Sequence, residues 1–161
     1  MANQNDAHAT GTSDATVVGR TTSVTEMSKQ KRKGDDFERE LAAYLNERLR
    51  IASYRAPLSG GGKVGMYGGA DVLGVPDLFI EAKRVERLNF HAALKQAEDN
   101  KAKTQSPDFP VVINRRNREP TGRSLVLLRL DDFIQLYRHY LHGEGYVRDE
   151  DEQARPATDS V

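Results

Sequence analysis

The stretch "DVLGVPDLFIEAKR", residues 71–84, combines a turn composition with the residue types of a buried strand. The sequence "GVPD" at 74–77 is rich in turn-forming residues, and apolar residues dominate on both sides of it. Gly, Pro and Asp favour turns, whereas β-branched, aliphatic and aromatic residues favour strands. The sequence therefore predicts two strands, at 71–73 and 78–83, joined as a hairpin.

The second predicted strand places two charged residues on one face. Because side chains alternate along a strand, the apolar residues at 78, 80 and 82 would enter the core, while Glu81 and Lys83 share the opposite face. A carboxylate and an ammonium so placed can hold a divalent cation and a phosphate side by side. The alternative is an ordinary ion pair at the surface.

Two aspartates compete for the place beside Glu81. Asp77 lies four residues before it, roughly 13 Å along an extended strand and too far to share one Mg²⁺. A hairpin centred near Pro76 instead places Asp71 opposite Glu81, with Cβ atoms about 5 Å apart. A slip of the register by one residue would break this pairing. The geometry favours Asp71 as the metal-sharing residue and Asp77 as a turn residue. The alternative is that Asp71, too, is an acidic residue of a turn and has no part in a metal site.

The charge is unevenly distributed along a chain whose formal net charge is zero. Residues 29–142 contain 21 Lys and Arg against 15 Asp and Glu, a net charge of +6, and the two ends are acidic. A basic middle fits a polyanionic partner such as DNA, although a solvated surface can have the same composition. There are no cysteines, which excludes disulfides and thiolate metal sites.

Nothing in the sequence indicates a membrane protein or a secreted one. The chain has no run approaching the roughly 18 apolar residues of a membrane span. Its first residues lack the apolar segment of a secretory signal. We expect no membrane partner and a cytoplasmic location.

The composition predicts one domain between two tails. Residues 1–30 are polar and without periodicity and predict a disordered arm, which ends in the basic "KQKRKG". Residues 31–142 predict the order α, β, β, β, α, β, β, α, an α/β fold with a mixed sheet flanked by helices. Residues 143–161 predict an acidic disordered tail. The last helix is predicted at 131–141, with Asp131 as its cap and these side chains inward: Phe133, Leu136, Tyr137 and Tyr140.

Several segments, in order, resemble a known nuclease family. "KGDDFERE" (33–40), "YRAPLSGGG" (54–62) and "GADVLGVPDLFIEAKR" (69–84) resemble archaeal-type Holliday junction resolvases of the PD-(D/E)xK nuclease superfamily. "EAKRVERLNFHAALKQAE" (81–98) and "PVVINRRNREP" (110–120) resemble phage-type members. The resemblance covers about residues 31–141. It implies a restriction-endonuclease-like core and a homodimeric, Mg²⁺-dependent (or Mn²⁺-dependent) endonuclease that resolves four-way DNA junctions.

The resemblance also implies residue roles. Asp71 and Glu81, with the carbonyl of Ala82, would hold the metal, Glu38 would assist from the first helix, and Lys83 would orient water or stabilise the phosphorane. The literal Pro-Asp of the family name, at 76–77, departs from the usual spacing. The residues that match the family's pattern are Glu38, Asp71, Glu81 and Lys83 as catalytic residues, and Arg55 and Ser59 in the loop.

Basic side chains around these motifs are candidate phosphate contacts, although each could simply be solvated. They are Lys33, Arg55, Arg84, Arg115 and Arg116. Gln96 either faces the site or is an ordinary exposed residue. Two other functions stay open, because a fold does not determine function. One is a repair or restriction-like nuclease acting on flaps, ends or single strands; the other is a non-cleaving DNA- or protein-binding module.

Overall fold

The computed structural model of the chain describes residues 24–57 and 69–147 and arranges them around one mixed sheet. The helices are α1 (Val24–Leu49), α2 (Phe90–Thr104) and α3 (Leu130–Gly143), with a short 3₁₀ turn at Thr121–Arg123. The strands are β1 (Tyr54–Arg55), β2 (Val72–Leu73), β3 (Leu78–Lys83), β4 (Phe109–Asn114) and β5 (Leu125–Leu127).

The sheet has the order β1-β2-β3-β4-β5. β3 and β4 run parallel and are connected by α2, whereas the other neighbouring strands are antiparallel. The prediction of an α/β fold with a mixed sheet flanked by helices is confirmed. β3 and β4 lie in the middle and are buried on both faces, which explains why both are nearly continuous apolar runs.

Helix α1 covers one face of the central strands. Phe37 is fully buried and Leu41 nearly so, and both pack in one cluster with Ile80, Val111 and Ile113. Full burial of a side chain of this size contributes about 2 kcal/mol to stability. This cluster holds α1 against the sheet and so fixes where the neighbouring Glu38 points.

Helix α2 covers the other face with small residues. Ala93, Leu94 and Ala97 are buried and pack with Val112 of β4. The two alanines let the helix backbone approach the strands closely. Phe90 is the first residue of α2, and about half of its side chain is exposed, so it lies outside this buried face.

Helix α1 begins earlier than the sequence predicts. Residues 24–30, expected to belong to a disordered arm, form its first turns, and the side chains from Glu26 to Lys33 are exposed. Adding a turn to an existing helix is far easier than starting one, so the packed segment around Phe37 can extend into polar sequence. Residues 1–23, 58–68 and 148–161, which include the rest of the arm and the tail, lie outside the described residues.

The C-terminal end of α1 is tied to β1. Arg50 adopts a left-handed conformation with φ of 56° just after the helix, and its N–H donates to the Asn46 carbonyl at 2.9 Å. The amide of Asn46 donates to the Ser53 carbonyl at 2.8 Å, and the buried Ser53 hydroxyl donates to the Ala42 carbonyl at 3.0 Å. These bonds set the start of β1 and therefore the position of Arg55.

Helix α3 differs most from expectation. Its cap residue is Arg129, which makes no side-chain cap bond, and Asp131 lies inside the first turn, so the predicted cap was wrong. No residue of α3 is buried, and the side chains of Phe133, Tyr137 and Tyr140 are each about half exposed. An amphipathic pattern identifies the face that should be covered but not what covers it. Across the described ranges, every helix is too short or too polar to cross a lipid bilayer.

Candidate active site

The β2–β3 hairpin brings Asp71 next to Glu81. Val72 pairs with Ile80, the register expected of a hairpin centred near Pro76, and Asp71 lies one residue outside the paired segment. The Asp71 N–H donates to the Ile80 carbonyl at 2.8 Å, and the Asp71 carboxylate accepts from the Ala82 N–H at 2.8 Å. The hairpin register expected from the sequence is therefore the one observed.

Asp77 has a different position. It is exposed at the bend, with φ of 61°, a left-handed conformation that aspartate tolerates better than most residues. Its carbonyl accepts from the Phe109 N–H at 2.8 Å, which aligns the start of β4 with the hairpin. Asp77 thus shapes the turn, and its side chain lies at the far end of β3 from Lys83.

Glu81 is buried and held by three side chains. Lys83 Nζ donates to its Oε1 at 2.6 Å, and Gln96 Nε2 donates to the same oxygen at 2.9 Å. Asn100 Nδ2 lies 3.4 Å from Oε2, and Lys83 also donates to Gln96 Oε1 at 3.0 Å. Only 3 % of Glu81 is exposed. A buried carboxylate needs such donors, because burial without them costs several kcal/mol.

The sequence did not assign Gln96 and Asn100 to the site. Gln96 is an exposed residue overall, as expected, yet the end of its side chain reaches both Glu81 and Lys83. Asn100 follows it by one helical turn, on the same face of α2. That i, i+4 spacing was the available signal, but it becomes informative only once α2 is known to lie over β3.

Glu38 of α1 lies against Arg55 of β1. Arg55 Nε donates to Glu38 Oε2 at 2.6 Å, and Arg55 also donates to Asp35 Oδ1 at 2.7 Å. Burial opposes the charge of Arg55, but its hydrogen bond to Glu38 and the nearby carboxylates outweigh that effect, so the pKa of Arg55 is raised. The charge of Asp71 is among those contributions. Arg55 therefore lies between the helix acid and the hairpin acid.

The hairpin carboxylates repel each other. Burial of Asp71 and the negative charge of Glu81 raise the pKa of Asp71 to about 7, and Glu38 adds to the rise. The hydrogen bond from Ala82 and the charge of Lys83 oppose the shift without cancelling it. Crowded, partly buried carboxylates with too little positive charge nearby are the arrangement that a divalent cation relieves.

The donor atoms of this pair fit a hard cation. Carboxylate and carbonyl oxygens favour Mg²⁺ or Mn²⁺ over zinc. Within the described ranges, however, no three His, Asp or Glu side chains converge as a metal-binding group. Glu38, expected to assist with the metal, is instead held by Arg55. The residues therefore fit a cation held by Asp71 and Glu81 with water completing its shell, as Mg²⁺ sites commonly have.

Two of the basic candidates are placed very differently although they adjoin in sequence. The side chain of Arg115 is only 6 % exposed, lies 4.7 Å over the Phe37 ring and pairs with Glu40. Enclosed in this way, it is not presented to a phosphate, which corrects the expectation of a DNA contact. Arg116 is exposed, and its charge together with that of Lys33 acts on Glu86, so these two basic residues lie on the same side of the molecule.

The remaining loop and strand candidates are less defined. Arg84 is half-buried just after β3, and its Nε is enclosed without a hydrogen-bond partner among the described atoms. Ser59 lies outside the described residues. The structure thus brings Asp71, Glu81 and Lys83 together, with Glu38 and Arg55 beside them. Comparisons of the chain with models of protein families, with curated proteins and with solved structures found no match.

Proposed function

We propose that this chain is a metal-dependent DNA endonuclease with a restriction-endonuclease-like core, and that its substrate is a four-way junction. The observation that carries the proposal is the Asp71 carboxylate beside Glu81, bonded to the Ala82 N–H at 2.8 Å, with Lys83 bonded to Glu81 at 2.6 Å. Two adjacent carboxylates can hold a divalent cation, and a lysine beside them can stabilise the charge that develops on a phosphodiester during hydrolysis. The junction as substrate rests on the resemblance of residues 31–141 to resolvases.

The protein's own residues have distinct tasks in this proposal. Asp71 and Glu81 would hold Mg²⁺ or Mn²⁺, which when bound polarises the phosphate and lowers the pKa of a water molecule. Lys83 brings an ammonium to the same place, where it can orient the attacking water or stabilise negative charge on the phosphoryl oxygens. Gln96 holds both Lys83 and Glu81, so it fixes their relative position.

Glu38 and Arg55 add a second layer to the site. Their charge-assisted hydrogen bond of 2.6 Å keeps a guanidinium within electrostatic reach of Asp71. A guanidinium in this position can attract the scissile phosphate or balance the acids before DNA arrives. The exposed Lys33 and Arg116 extend the positive surface and would contact phosphates further along the duplex.

A second candidate is supported by one observation. Glu81 and Glu38 are already engaged by donors, and the described residues contain no group of three metal-binding side chains. A protein that only binds branched DNA would not need to free these carboxylates. This non-cleaving module shares the scaffold and the basic surface but predicts no metal-dependent reaction.

Labelled substrates distinguish the candidates. Four-way junctions, flaps and linear duplexes of matched sequence would be incubated with and without Mg²⁺, using the unaltered protein, Asp71→Asn and the matched control Asp77→Asn. We expect paired nicks near the junction that need Mg²⁺, disappear with Asp71→Asn and persist within a few-fold with Asp77→Asn.

Each other outcome has a distinct meaning. Equal cutting of linear duplex would sink the junction preference while keeping the nuclease. Junction binding without cutting in Mg²⁺ or Mn²⁺ would establish the non-cleaving module. Loss of cutting in Asp77→Asn as complete as in Asp71→Asn, with both variants folded, would show that the wrong aspartate has been assigned to the site.

A further inference from the structure

Strand β5 and helix α3 both expose large apolar side chains. Of the thirteen large hydrophobic side chains exposed among the described residues, seven lie between residues 125 and 140. We use the term aromatic face for the part on α3, which consists of Leu130, Phe133, Ile134, Tyr137 and Tyr140. Leu125 and Val126 of β5 are also exposed, at 57 % and 61 %. Single exposed hydrophobics are ordinary, but a contiguous patch indicates a binding surface.

The rings of the aromatic face are already ordered. Phe133 and Tyr137 stack with centroids 5.6 Å apart and planes at 10°, and Tyr137 and Tyr140 stack at 5.7 Å and 19°. Their successive stacking makes a row of nearly parallel rings along the helix. Such a surface loses little side-chain entropy when a partner covers it.

Residues 24–57 and 69–147 leave this face uncovered. No residue of α3 is buried, although Arg129 ties the start of the helix to Glu98 of α2 at 2.7 Å. A helix of 14 residues is marginally stable in water unless its apolar side is packed. β5 is also an edge strand, bonded to β4 alone among the described strands, and an apolar edge invites pairing.

The parts of the chain outside the described ranges are poor candidates to cover it. Residues 1–23 and 148–161 contain no Leu, Ile, Phe or Tyr that could pack on the rings. Residues 58–68 contain a few apolar side chains, but they connect β1 to β2, at the opposite edge of the sheet from β5. These compositions favour an occupant from another molecule.

We propose that the aromatic face, with the exposed side of β5, is the contact with a second copy of this chain, and that the two α3 helices pack antiparallel. The charges on α3 favour this occupant. Asp131 and Asp132 lie in its first turn, whereas Arg138 lies near its C-terminal end. Antiparallel helices bring the acidic end of each to the basic end of the other, and a twofold interface requires such a self-complementary surface.

The position of the charges makes the pairing specific. Asp131 and Arg138 are seven residues apart, two helical turns, and so lie on one flank of the aromatic face. In an antiparallel pair centred near Ile134, Asp131 of one copy would lie beside the partner's Arg138, and the same pair would occur twice. A parallel arrangement would set like charges together instead.

Sedimentation of the full chain over a series of concentrations tests the surface. The unaltered protein should form a dimer, and the variant Phe133→Glu/Tyr137→Lys should raise its dissociation constant by about a hundredfold. Phe90→Lys is the matched control, since Phe90 is an exposed aromatic residue on another helix, and it should leave the constant unchanged. A protein that stays monomeric up to its solubility limit overturns the proposal, as does a dimer that the double variant does not weaken.

Charge reversal tests the antiparallel arrangement. Asp131→Arg and Arg138→Asp should each weaken self-association, because each homodimer would then contain two like-charged pairs. An equimolar mixture of the two variants should restore a dimer made of one chain of each kind. If mixing restores nothing while each variant alone is weakened, the helices are not antiparallel.

Hydrogen exchange of the unaltered protein keeps the proposal testable if a variant fails to fold. Amides in 125–141 should exchange more slowly as protein concentration rises, while amides in α1 and α2 should not change. Protection that is independent of concentration in 125–141 would mean that no second copy covers this surface.

Discussion

The Asp71 carboxylate accepts a hydrogen bond at 2.8 Å from the backbone N–H of Ala82, the residue between Glu81 and Lys83 in the sequence. This bond holds the Asp71 carboxylate against β3. Burial of Asp71 and its proximity to Glu81 together raise the pKa of Asp71 to about 7. The arrangement therefore has a cost in stability when no cation is bound.

The first prediction concerns that cost. In the metal-free protein the folded state binds the Asp71 proton more tightly than the unfolded state, because its pKa is raised from 3.8 to about 7. Stability should therefore fall as pH rises between these two values and then level off, by about 4 kcal/mol in all. Denaturant unfolding in EDTA at a series of pH values measures this.

The variant Asp71→Asn is the control for the pH effect. It should remove most of this pH dependence and raise stability at pH values above about 7. Added Mg²⁺ should stabilise the unaltered protein but not Asp71→Asn, since a ligand that binds only the folded state stabilises it. A stability that rises with pH across the same interval in the unaltered protein would contradict the assignment.

The second prediction concerns Gln96. Its side chain bonds both Lys83 and Glu81, so Gln96→Ala should reduce nuclease activity by about tenfold or more with little change in stability. Lys95→Ala is the matched control, since Lys95 is an exposed neighbour that pairs with Asp99. It should change the cleavage rate less than twofold. Similar rates for both variants under single-turnover conditions would mean that Gln96 does not position the site.

The third prediction separates two adjacent arginines. Arg115→Ala should lower stability by about 2 kcal/mol or more, because it empties an enclosed site and leaves Glu40 and Thr121 without a partner. Arg116→Ala should leave stability unchanged and weaken DNA binding. It should also reduce the slope of the logarithm of the binding constant against the logarithm of the salt concentration by about one, the value for one lost phosphate contact. Thermal unfolding and binding titrations at several salt concentrations distinguish these effects. Destabilisation by Arg116→Ala, with weaker DNA binding but full stability in Arg115→Ala, would contradict the positions assigned to the two arginines.

The fourth prediction concerns Gly74 in the hairpin. A Cβ at this position would lie 2.5 Å from the Ala52 carbonyl oxygen, and the backbone has φ of +80°. Gly74→Ala should therefore destabilise the protein by about 3 kcal/mol through both overlap and strain. Gly145→Ala is the control, because its φ is +74° but no described atom lies within 4 Å of the added carbon. It should cost about 1 kcal/mol. Equal losses in denaturant unfolding would show that the contact with Ala52 contributes nothing.

The sequence determined the hairpin and its register, because both depend on local rules. Turn residues at 74–77 placed the bend, and the two-residue period of β3 set Glu81 and Lys83 on one face. Together these were enough to select Asp71 over Asp77. The central strand β3 was predicted with its observed bounds, since it is a short apolar run that follows turn-forming residues.

The tertiary structure decided everything that depends on which elements lie next to each other. Gln96 and Asn100 reach Glu81 only because α2 crosses over β3, and Glu38 meets Arg55 only because α1 packs beside β1. Arg115 and Arg116 are neighbours in sequence but differ in burial, because only the first points at Phe37. The exposure of α3 has the same origin: periodicity shows that a face is apolar, but only the packing of the chain shows whether anything covers it.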